Sequence, residues 1–170
     1  ILTSLARAHW LTAYQPGAKI DDALARASQF LERAKALTPE DAEVLTMDGH
    51  LHLARPDLDL ERKQAITEEI TAARKAYRHA IRRDETMAEA YFGLGNTHLL
   101  QDSGSQEAVV AFEAAAFLLP LDTRIPMAFA RLQIGRDNPL QAIPALEYVL
   151  RWSATKQQRD AARELMKQLR

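Results

Sequence analysis

No cysteine occurs among the 170 residues, so neither a disulfide nor a thiolate metal site can form, and the redox compartment stays open. Charge of one sign is not in surplus. Twenty-two Lys and Arg against 23 Asp and Glu leave a formal charge of −1, which provides no whole-protein field for nucleic acid or an anionic membrane surface. No apolar run approaches ~18 residues, the length a bilayer-spanning helix needs. Glycine (six) and proline (seven) are scarce and fall between stretches of helical periodicity. The remaining composition, 47% hydrophobic and 26% charged, is that of a globular chain able to bury a core. The first residue is isoleucine, so the sequence reads as an excised segment and any targeting signal is left open.

The spacing predicts helices throughout. A first runs from Leu2 to Tyr14 and ends at Pro16–Gly17, and a second starts near Asp21–Asp22 and stops before Pro39. A third begins around Asp41, and a long fourth spans about Leu58 to Arg83. The fifth covers Met87 to Leu100, before the break Asp102–Ser103–Gly104–Ser105, and the sixth ends at Pro120. Thr123 is expected to cap the seventh, Asn138–Pro139 to open the eighth, and a ninth to run from Thr155 to Leu169.

One spacing recurs four times: a small residue, a large apolar one four positions on, and a small one three beyond that. It reads Ala27–Leu31–Ala34, Ala73–Tyr77–Ala80, Ala108–Phe112–Ala115 and Ala142–Leu146–Val149. Upstream of each copy stands an apolar–small pair, Leu5–Ala6, Leu94–Gly95 and Phe129–Ala130, degraded to Asp48–Gly49 in the second. Small residues let two helices cross closely, and the large residue one turn away fills the groove between them. A fixed order of this kind over two helices marks a stacked helical-hairpin repeat.

The chain resembles tetratricopeptide repeats, most clearly in Ala88-Glu-Ala-Tyr91-Phe-Gly-Leu94-Gly95-Asn-Thr-His98 followed by Ala108, Phe112, Ala115 and Pro120. The resemblance implies an all-α fold: a right-handed α-solenoid of about four tetratricopeptide-like (TPR) hairpins, of the bacterial type, with a C-terminal capping helix. One domain over residues 1–170 is expected, with repeats at about 1–39, 40–85, 86–120 and 121–152 and the cap at 155–169. Ala6 to Ala27 is 21 positions and Gly49 to Ala73 is 24, where the family leaves 12, so repeats one and two carry insertions between their paired helices. The second insertion reads as an extension of the fourth helix by ~18 Å. Its Ile66 and Ile70 are expected to brace Ile20 and Leu24 or to form a docking knob.

In such repeats the first helix of each pair lines a concave groove where peptides bind. On that face the sequence places Arg7, Trp10, Met47, His50, Glu89, Phe92, Asn96 and Arg131, a mixture suited to an extended or helical peptide with some apolar content. The carboxylate clamp of chaperone-adaptor members is missing, because Thr3, Arg7, Met47, Glu89 and Gly93 stand at its positions. A chaperone C-terminal tail is therefore not the expected client.

No catalytic, metal or cofactor motif is present, and the chain is not read as an enzyme. Gly93-Leu-Gly95 lies inside a helical pattern rather than after a strand, so it is not a phosphate loop. His50 and His52 lie about 200° apart around a helix and cannot chelate one ion. His9, His52 and His98 fill one repeat slot, which points to a stacked row of rings inside the solenoid. Asp48 stands where the repeat wants a buried apolar residue. It either pairs with His52 or marks a shifted register that turns Met47 or Leu51 inward, with a ligand-binding role as the sharper alternative. The basic run Arg74, Lys75, Arg78, His79, Arg82 and Arg83 reads as a solvated convex stripe, with an acidic partner or nucleic acid as the sharper alternative.

The last helix, with Ala162, Leu165 and Leu169 on one stripe and charges elsewhere, behaves as a cap. The first, with Leu2, Leu5, Trp10 and Leu11, lacks such cover. Three readings follow: a scaffold binding a protein or peptide in its groove, a C-terminal accessory module of a larger enzyme that holds substrate or partner, and a homo-oligomer formed through the N-terminal helices or the long hairpin.

Overall fold

The computed structural model describes residues 1–54, 63–101 and 105–169. These contain nine helices and no strand: α1 Leu2–Thr12, α2 Ile20–Leu37, α3 Ala42–Leu53, α4 Lys63–Arg83, α5 Ala88–Gln101, α6 Gln106–Leu118, α7 Arg124–Gly135, α8 Pro139–Trp152 and α9 Lys156–Gln168. The expected start of the fourth helix at Leu58, and with it part of the 18 Å extension, lies outside the described residues. Two compact units divide the chain, Ile1–Thr97 and His98–Arg170, with the boundary inside α5.

In the first unit α1 packs on α2 and α3 on α4, and α3 also touches α1 and α2. One cluster, Ala6, Leu31, Ala34, Val44 and Met47, joins α1, α2 and α3. Asp41 starts α3: its carboxylate accepts from the backbone N–H groups of Glu43 (2.8 Å) and Val44 (3.2 Å), donors the helix itself leaves unpaired. Pro16–Gly17 ends the first helical stretch, and Gly17 takes a φ of +80°, a conformation that glycine reaches without steric cost.

Tyr77 is the wedge of this unit. It projects from α4, is wholly buried, and inserts its ring between Gly49 of α3 and Gly93 of α5. A Cβ added at Gly49 would lie 2.6 Å from Tyr77 Cε1, and one added at Gly93 would come closer still to the ring. Both glycines are there for space, since each sits in a helix whose intrinsic preference is for alanine.

In the second unit α7 packs on α6 and α8, and α8 on α9. Its core is Met127, Ala130, Ala142, Leu146, Val149 and Ala162, with Leu165 and Leu169 of the amphipathic last helix laid against it. Thr123 does not cap α7 as expected. Its hydroxyl donates instead to Gln158 Oε1 of α9 (2.9 Å), and the neighbouring Asp122 takes the backbone N–H of Arg124 at 2.9 Å. Burial pushes the Asp122 carboxyl up, but its hydrogen bonds from the Arg124 side chain and backbone outweigh this and hold it below the usual range. Thr155 does cap α9, accepting from Gln158 N, while Ser153 Oγ donates to Gln158 Oε1 at 2.5 Å. Asn138 precedes Pro139 at the start of α8 as expected, although its side chain makes no capping bond.

The brace expected between the insertions finds Ile70 buried but Ile20 45% exposed. The basic stripe of α4 is not wholly a solvated face either. Arg74 donates to Thr97 Oγ1 and O (3.3 Å each), His79 pairs with Glu40 at 2.8 Å, and Arg83 Nε donates to Glu40 O. Lys75 and Arg82 are exposed.

The wedge predicts a change of sign. Helix propensity alone favours alanine over glycine by about 1 kcal/mol. Against the Tyr77 ring, Gly93→Ala and Gly49→Ala are instead expected to destabilise, overpacking being worth about 1–3 kcal/mol. In a Tyr77→Ala background the same changes should become neutral or stabilising. Urea denaturation of the four-member cycle checks this, and equal glycine effects in both backgrounds would rule the wedge out.

Candidate functional site

A run of rings joins α1 and α3 and reaches Tyr77 of α4. The Trp10 indole stacks on His50 (centroids 4.8 Å apart, planes within 11°) and meets Tyr14 edge-on at 5.5 Å. His50 in turn meets the Tyr77 ring at 64°, with Nδ1 2.8 Å from the phenol oxygen. Tyr77 thus reaches through from α4, filling the gap left by the two glycines, and its oxygen ends beside His50. Burial, and secondarily the charge of Glu89, push its phenol well above the ordinary value of 10.0, so it keeps its proton throughout the physiological range.

A cleft of about 230 Å³ lies between α1 and α3, lined by Thr3, Ser4, Arg7, Ala8, Leu11 and Glu43. It offers an apolar patch flanked by one guanidinium and one carboxylate. On α5, Glu89, Phe92 and Asn96 are spaced three and four apart on one helical face and are each half-buried.

Of the expected groove residues, Trp10 and His50 are in contact, Arg7 lines the cleft with Glu43, and Glu89, Phe92 and Asn96 lie on α5 in the same unit. Arg131, also expected on the groove, lies exposed on α7 in the second unit. Met47 is a correction. It is wholly buried in the α1–α2–α3 core against Ala6, Leu31, Ala34 and Val44, and is not presented to a ligand. The cause is the register of α3: with Asp48 in the apolar slot, the helix turns its neighbour Met47 into the core.

Asp48 finds a different main partner from the one expected. Lys35 Nζ of α2 lies 2.6 Å from its Oδ1, while His52 Nε2 is 3.9 Å away. The histidine slot does not form a row of stacked rings. His9 stacks on Phe30 (5.4 Å), His52 Nδ1 pairs with Glu69 at 2.5 Å and His98 Nε2 with Glu107 at 3.2 Å. Each partner belongs to the next helix along the chain, because a slot one turn from a hairpin crossing faces the hairpin partner. Sequence reasoning missed Gly93 as a packing residue and Glu43 as a wall of the cleft. The glycine's role becomes visible only once the ring of Tyr77, 16 residues away in the sequence from Gly93, stands between α3 and α5.

Among the described residues no group of three or more His, Asp or Glu is placed to hold a metal ion. No described helix is long and apolar enough to cross a membrane. No protein-family model matches the chain, and no curated protein matches it. Among solved structures, the crystal structure of MamA protein aligns with a TM-score of 0.60 and 19% identity, covering 88% of this chain and 70% of that one. That likeness is one of fold, a TPR-like helical repeat.

The ring run yields its own expectation. Tyr77→Phe keeps the wedge but leaves His50 Nδ1 without the phenol, costing about 1 kcal/mol. Thermal denaturation measures the loss, and the His50 ring resonances in NMR should move. Unchanged His50 resonances would mean that the bond does not form in solution.

Proposed function

We propose that this chain is a non-catalytic protein-interaction scaffold whose inner face on α1, α3 and α5 binds a peptide or protein segment. The observation that carries this reading is the ring run Tyr14–Trp10–His50, on the same two helices, α1 and α3, as the cleft of Arg7 and Glu43. Rigid aromatic side chains bury large area at low entropic cost, and flanking charges fix the direction of a bound segment. The cleft is too small for a folded partner but fits one or two side chains of an extended or helical segment.

Partners captured from lysate by the wild type are expected to be lost with Trp10→Ala plus Phe92→Ala, and with Arg7→Glu, which inverts one wall of the cleft. Circular dichroism verifies that each variant is folded. If folded variants retain the same partners, the inner face is not the site.

Self-association is a second reading, favoured by the exposure of Leu5 (39%) and Leu11 (49%) on α1. Sedimentation at several concentrations should then show a species heavier than the 19.1 kDa protomer, which Leu5→Lys plus Leu11→Lys dissociates. A monomer at every concentration removes this reading.

A further inference from the structure

A separate cavity of about 350 Å³ opens on the opposite side of α3, between it and α2. One wall is apolar, formed by Leu24, Leu31 and Leu51. The other is charged. Lys35 Nζ lies 2.6 Å from Asp48 Oδ1 and 3.3 Å from Glu32 Oε1, and His52 stands between Asp48 and Glu69 of α4.

The cavity exists at a packing position. The repeat asks for a large apolar side chain where Asp48 stands, and Met47 supplies the core contact one residue earlier. The carboxylate is left 21% exposed and its ammonium partner 33%. An ion pair partly withdrawn from water returns little net stability, since desolvation offsets most of the attraction. A leucine at position 48 would fill the space and remove the charges. The fold therefore supplies no reason for this pair, and positions that break the local pattern without a structural gain are where function is to be sought.

The charges favour one sign of ligand. Glu32 and Asp48 face one ammonium in the lining, so its carboxylates outnumber Lys35 by one. The leucine wall opposite suits a methylene chain, as the stems of long basic side chains lie along apolar surface while their heads reach polar groups.

We infer that this cavity binds an alkyl cation, an ammonium or guanidinium at the end of a methylene chain. The head group shares Asp48 and Glu32 with Lys35, and the stem lies against Leu24 and Leu51. A guanidinium fits best, because its planar fork can bridge two carboxylates that both lie within 3.3 Å of one lysine nitrogen. The cation belongs either to an arginine or lysine side chain of a partner or to a free polyamine.

NMR titration of the full chain distinguishes these sources. The probes are N-acetylarginine amide, spermidine and, as an uncharged isostere, N-acetylcitrulline amide. Saturable shifts of the Leu24 and Leu51 methyls and the His52 ring are expected with at least one cation and not with citrulline, weakened about tenfold or more by Asp48→Asn. Tighter binding of the arginine amide assigns the site to a partner side chain, and tighter binding of spermidine to a free polyamine. Asp48→Leu is expected to abolish the shifts while raising Tm. The inference is overturned by an absence of saturable shifts with both cations, by equal shifts with citrulline, by shifts indifferent to Asp48→Asn, or by a fall in Tm for Asp48→Leu.

Discussion

The first unit depends on one side chain passing between two backbones. Tyr77 leaves α4, crosses the space between α3 and α5, and fills it so fully that neither Gly49 nor Gly93 has room for a methyl group. Because the ring is wholly buried, its dispersion contacts and hydrophobic transfer are gained in full. Its oxygen finds His50, so the one polar atom of a large buried residue is satisfied. The separation of α3 from α5 is thereby set by the thickness of an aromatic ring.

Much of this was legible in the sequence, for a physical reason. The small–large–small pattern encodes helix crossings, and crossings are local geometry. Leu31, Tyr77, Phe112 and Leu146, read as groove-filling from spacing alone, are all at most 1% exposed. Helix starts at Asp41 and Thr155 were also readable, since a capping side chain acts on backbone two or three residues away. The helical-repeat fold follows from these regularities.

What the sequence hid depends on choices between neighbours. Met47 and Asp48 compete for one inward position, and the repeat pattern names the position without saying which residue turns to fill it. Thr123 and Asp122 compete for one helix start, and the carboxylate wins because Arg124 grips it from two directions. The basic run of α4 looked like a solvent face because its partners, Glu40 and Thr97, lie 39 and 23 residues from the residues they bind. Glu43 was not read as part of the cleft because it looked like any other first-turn carboxylate.

Gln158 gives the end of the second unit an unusual mechanical character. A helix lying on a single neighbour would ordinarily open locally, one turn at a time. Here one amide oxygen in the first turn of α9 receives hydroxyls from both Thr123 and Ser153, and Arg159 donates to the Ser153 carbonyl. Ser153 is itself 5% exposed. Lifting the root of α9 thus strands polar groups at the entry of α7 and at the end of α8 together. Opening of this first turn is cooperative with two other helices, so α9 behaves as a latch closed at its hinge.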